Sequence, residues 1–143
     1  MVTSAVFDKL GRTDGSPALE GEGHFGFLNR AQGPVFDRIR RLVDDWYQRY
    51  PLAGRADLRG RLRSDDDRAF IGAFWELYQA ESLTRRAFEI RLHPDVPGTD
   101  RHPDFLADDG TTSFSRRATS SRMYVTRPGS GGGGVWAWKV ARA

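Results

Sequence analysis

The feature that most restricts how this chain can fold is a break in its charge pattern. Residues 1–110 carry 16 basic and all 19 acidic side chains, whereas residues 111–143 carry six basic ones (Arg116, Arg117, Arg122, Arg127, Lys139, Arg142) and no acid. If the acid frequency of the first part held, a stretch of that length would lack acids roughly 0.2% of the time, so the composition changes in kind near Gly110. The net charge of +3 therefore comes wholly from the last quarter.

A chain of 143 residues supports one domain with a core of its own and is short for two. Cysteine is absent, which excludes disulfides and thiolate-held metal. Neither a leader-type apolar run after a basic start nor any stretch approaching eighteen apolar residues occurs, so a soluble, cytoplasmic protein with no membrane partner is expected. No G-x-S-x-G, Walker or dinucleotide fingerprint is present, and no small-molecule cofactor is implied; Gly129 to Gly134 (GSGGGG) reads as a linker.

Periodicity then places the elements. Residues 1–23 mix Gly, Ser, Thr, Pro and charges without period and are expected to be a disordered leader. His24 to Asn29 is a short docking segment. Val35, Ile39, Leu42, Val43, Trp46 and Tyr50 recur at three and four, predicting a helix over 34–50 with Pro34 in its first turn and Pro51 beyond its end. Leu58 and Leu62 among arginines predict a short surface helix interrupted at Gly60. Ser64 and Asp67 resemble a capping box opening a second long helix over 64–87, whose apolar side is bordered or entered by Glu76 and Glu81. Strands are expected at 88–92, 103–107 and 112–117, with Asp108-Asp109-Gly110 as a turn. The fold class is thus α+β, N-terminal helices followed by a small three-stranded sheet, and residues 120–143 are expected to be a basic, Gly-rich, unstructured tail. Such a sheet, with an open edge and incomplete cover, predicts marginal stability.

Three chemistries are open on the residues alone. Asp104, after Pro103 at the start of a strand and facing the strand at 112–117, sits where phosphodiester hydrolysis would need a Mg²⁺-binding carboxylate. His93, Asp95, Asp100, His102 and Asp104 lie within twelve residues, but without the spacing of a structural zinc site. Arginines between Arg38 and Arg63, and a tail bearing Tyr124, Trp136 and Trp138, could hold nucleic acid. Asp37, Asp44, Asp45 and Asp57, interspersed among those arginines, favour instead a solvated, salt-bridged helical face. Exposed Trp136 and Trp138 could equally serve a protein partner.

The run from Ala73 to Thr119 adds a resemblance. AFWELYQAESLTRRAFEIRLHPDVPGTDRHPDFLADDGTTSFSRRAT is similar to the front half of actinobacterial proteins with a restriction-endonuclease-like, PD-(D/E)XK, core, and the match covers about a third of the chain. The resemblance implies a nuclease-like α+β domain over 24–119, a metal-binding acid at Asp104, a supporting acid at Glu76 with Glu81 as the alternative, and DNA as partner. It also implies a loss: Arg117 stands where the second metal carboxylate belongs, and Thr119 where the activating Lys would be. Arginine cannot ligate Mg²⁺. The lost acid, the acid-free tail and the lost period begin together, so a frameshift or gene decay near Phe114 to Arg117, leaving an incomplete and catalytically inactive core, is the expectation.

Overall fold

The computed structural model describes residues 5–92, 105–110, 113–116, 122–126 and 136–139. Its elements are α1 (His24–Arg30), α2 (Pro34–Arg49), a 3-10 turn (Leu52–Gly54), α3 (Arg55–Leu62), α4 (Asp67–Thr84), and strands β1 (Glu89–Leu92), β2 (Phe105–Asp108), β3 (Ser113–Arg116), β4 (Arg122–Thr126) and β5 (Trp136–Lys139). The fold is α+β. No helix among the described residues is long and apolar enough to cross a membrane. The chain divides within α4 into two units, Met1–Tyr78 and Gln79–Ala143.

In the first unit, α2 forms where the period required it, with Pro34 in its first turn. The inward face, however, is Arg40, Val43, Tyr47 and Tyr50, while Val35 and Leu42 are exposed. The expected apolar stripe is one flank of the helix, and a charged residue takes a core position. α3 runs through Gly60 without a break, and its Leu58 and Leu62 are fully buried, so the expected interrupted surface helix is corrected. One glycine costs a helix only about 1 kcal/mol, whereas burying two leucines returns about 1.5–3 kcal/mol each.

The capping box is also corrected. Asp66 accepts a hydrogen bond from the Arg68 amide at 3.0 Å, as an N-cap does. Asp67, freed from that role, accepts the His24 amide at 2.9 Å and so ties the start of α1 to the start of α4. The His24 ring stacks on Phe70.

The leader is the largest revision in this unit. Val6 is 0% and Phe7 5% exposed, and Phe7 stacks on Phe25 of α1. Its backbone is satisfied by distant side chains: the Val6 amide donates to Asp44 (2.7 Å), Arg59 Nε donates to the Ala5 carbonyl (2.8 Å), and Arg63 donates to the Val6 carbonyl (2.6 Å). Arg30 holds Asp14 at 2.8 Å and Glu22 at 2.5 Å. Residues 5–23 therefore belong to the fold without helix or strand period, because side chains rather than a ladder meet their polar groups.

In the second unit, Ala80 and Glu81 of α4 are buried. The helix ends in a Schellman motif: the Phe88 amide donates to Leu83 O and the Ala87 amide to Thr84 O, with Ala87 at φ 65°. That left-handed position usually belongs to glycine. Beyond it the sheet is antiparallel with strands in chain order. Ile90 pairs with Ala107, Ala107 with Phe114, Phe114 with Val125, and Val125 with Trp136. Phe105 and Ala107 are buried and alternate with half-buried Leu106 and Asp108. Gly110, at φ 84°, donates its amide to Asp108 (2.7 Å) and makes the expected turn.

Two expectations change here. Among the described residues five strands pair where three were expected, and two of them, β4 and β5, lie within the segment 120–143 that was expected to be unstructured. The sequences RMYVT and WAWK carry the aromatic and β-branched content of strands, which the flanking glycine run obscured.

Candidate functional site

The sequence-derived metal acid, Asp104, lies outside the described residues, with Pro103, the loop acids and histidines at 93–102, Arg117 and Thr119. Among the described residues no cluster of three His, Asp or Glu side chains suited to a metal ion occurs.

Glu76 is described in full. Its position on α4 turns it into the first unit, where it is 7% exposed. The Tyr50 hydroxyl, from the end of α2, donates to Oε1 at 2.5 Å, and Arg61 Nη1, from α3, donates to Oε2 at 2.8 Å. Arg61 is shared with Asp57, one turn earlier on α3, at 2.9 Å. Burial works against the charge on Arg61, but the hydrogen bonds and charges of Glu76 and Asp57 outweigh it and raise its pKa. Three helices thus meet on one carboxylate, and both of its oxygens are engaged.

Glu81, the alternative acid, lies in the second unit. It is buried and accepts Arg85 Nε at 2.7 Å in an i,i+4 pair.

Eight arginines lie from Arg38 to Arg63, and at least five of them have partners within the fold. Arg40, Arg55, Arg59, Arg61 and Arg63 are spent inside the fold. Arg40, 4% exposed, donates to the Leu28 and Ala31 carbonyls at 2.5 and 2.9 Å and pairs with Asp37, closing the end of α1. Arg55 caps α2 through the Gln48 and Tyr50 carbonyls. Arg63 also packs over the Phe25 ring at 4.7 Å. Arg38 and Arg41 stay exposed. Most of the cations expected to meet phosphate are therefore structural.

What the sequence did not reveal is an open cleft of about 470 Å³ in the first unit, between the N-terminal segment and α2. Its cations are Lys9, Arg12, Arg40 and Arg41, and its acids Asp8, Asp37 and Asp44. Burial pushes the Asp44 carboxyl up, although amide hydrogen bonds from Val6 and Phe7 pull the other way. The available signal was Asp37 three residues before Arg40, a spacing that allows a pair on one helix face.

No protein-family model, curated protein or solved structure matches this chain.

Proposed function

We propose that the chain is a degenerate PD-(D/E)XK-type, nuclease-like protein that does not cleave nucleic acid. The observation that carries this reading is the engagement of Glu76: Tyr50 and Arg61 each hold one of its oxygens and the side chain is buried, so the supporting acid that the resemblance implies is already used within the fold. Turning Glu76 toward a Mg²⁺ ion would cost the Tyr50 and Arg61 hydrogen bonds and leave Arg61 with Asp57 alone. Arg117 at the second acid position supports the same reading from the sequence. Cleavage of plasmid and single-stranded DNA with Mg²⁺ or Mn²⁺ tests it. The wild type should give no more product than Asp104→Ala, and Asp104-dependent cutting would contradict the proposal.

A second reading is favoured by the acid-free segment after Gly110, with its six cations: a non-catalytic nucleic-acid-binding module. Its mark is affinity that falls steeply with salt, is unchanged by Asp104→Ala and is lost on neutralising Arg122 and Lys139. A protein-interaction role for Trp136 and Trp138 rests on the sequence alone.

A further inference from the structure

The cleft between residues 5–12 and α2 is unlike the rest of the first unit in how its charges are used. Every acid in it is committed. Asp8 accepts Arg63 at 3.0 Å and the Asn29 side-chain amide at 2.9 Å, Asp37 accepts Arg40, and Asp44 accepts the Val6 amide. Of its four cations, Arg40 alone has a carboxylate partner among the described residues. Lys9 and Arg41 have no polar partner among the described residues, and Arg12 has no carboxylate partner among them.

Arg12 is the informative one. Its guanidinium is held in place by three backbone carbonyls, those of Asn29 (2.7 Å), Asp8 (2.7 Å) and Leu10 (3.2 Å). A guanidinium has five N–H donors, so two remain. Burial lowers its pKa, and the charge of Arg40 adds to that, against weaker support from Asp37, Asp8 and Asp44. A half-buried, positioned cation with no carboxylate bonded to it among the described residues, and only weak support from acids farther off, is stabilised when an anion completes it. Phe7, Leu10 and Pro34 give the same cleft an apolar lining, and its volume falls in the range of roughly 300–1,000 Å³ usual for small-molecule sites.

We propose that this cleft binds a small molecule bearing an oxyanion, a phosphate or a carboxylate, on an apolar body. Arg12 takes the anion through its planar fork, Lys9 and Arg41 flank it, and Phe7, Leu10 and Pro34 cover the body. The site uses only the first unit and does not depend on the nuclease-like reading.

Phenyl phosphate and benzoate, titrated separately into the full-length protein at low salt and followed by amide NMR shifts, test the proposal and distinguish the two anions. Saturable shifts at residues 8–12 and 37–41 are expected with at least one of them, and none with the uncharged benzyl alcohol. Arg12→Gln should weaken binding about tenfold and Arg41→Gln about threefold, as loss of a charge-assisted contact implies. Arg38→Gln should leave it unchanged. Arg41 has no polar partner among the described residues, so its variant keeps the test sound if Arg12→Gln loosens the N-terminal segment. Three results would overturn the proposal: no saturation by either anion at millimolar concentration, affinities unmoved by Arg41→Gln, or shifts produced by a single-stranded oligonucleotide but by neither small anion.

Discussion

In the unit Met1–Tyr78, side chains hold distant backbone together; in the unit Gln79–Ala143, the described backbone is held mainly by neighbouring strands. Arg59 reaches Ala5 across 54 residues and Arg63 reaches Val6 across 57. Among the described residues of the second unit, Glu81 pairs with Arg85 and Glu89 with Arg91, over four residues or fewer. Hydrogen bonds to a charged group contribute about 1.5–3 kcal/mol each, against about 1 kcal/mol for a neutral one. A segment of irregular backbone can therefore be held as firmly as a helix when enough guanidinium groups converge on it. Interleaved acids and arginines make this possible in the first unit, and an acid-free stretch cannot offer the same pairing.

Removing a core contact of the N-terminal segment is the most forceful way to break the contrast. Phe7→Ala should cost about 3–5 kcal/mol in urea unfolding, the range for a buried phenylalanine. A loss under about 1 kcal/mol would return residues 5–12 to the status of a leader. Glu76→Ala should cost about 2–4 kcal/mol, because it leaves the Tyr50 hydroxyl without its acceptor and Arg61 with Asp57 alone; a value at the low end is expected since Arg61 is 32% exposed. Differential scanning calorimetry of Glu76→Ala beside Glu76→Gln, which keeps an acceptor for Tyr50, separates the two contributions.

Two smaller effects sharpen the comparison. In the second unit, Ala87→Gly should stabilise by about 0.5–1 kcal/mol by relieving the left-handed backbone at φ 65°. In the first unit, the hydrogen bonds from Arg63 and Asn29 hold the Asp8 carboxyl below its ordinary value of 3.8. A depressed carboxyl contributes stability that is present above pH 3.8 and is lost as pH falls through its folded value. Asp8→Asn should flatten that acid limb by less than about 1 kcal/mol, the carboxylate being partly exposed. An unchanged acid limb in the variant would show that Arg63 does not hold Asp8 in solution.

Elements whose apolar residues repeat with the backbone were legible in the sequence. The periods through Val43 and Leu77 announced α2 and α4, and the alternation at Ile90 and Leu92 announced β1. The N-terminal segment was not legible, because Val6 and Phe7 are two apolar residues without a period, and their burial depends on Arg59 and Arg63 more than fifty residues away. Arg40 was misread for a related reason: a core arginine becomes intelligible only when the carbonyls it closes, at Leu28 and Ala31, are brought to it. Of the candidate site, the placement of Glu76 on the apolar side of its helix was readable from the wheel. Its partners were not, since Tyr50 and Arg61 lie 26 and 15 residues away and only packing joins them. β4 and β5 escaped because composition averaged over a glycine run conceals strands of four or five residues.

Tyr50 and Arg61 hold the Glu76 carboxylate inside the fold, and the proposed function requires that it take no metal ion. Paramagnetic broadening by Mn²⁺ tests it most directly, read at the amides of residues 75–77, 50 and 61 in the full-length protein. The expected result is no broadening at these amides beyond that seen in Glu76→Gln. Broadening centred on residue 76, saturating with Mn²⁺ and abolished by Glu76→Gln, would contradict the claim and reopen the case for a working metal site.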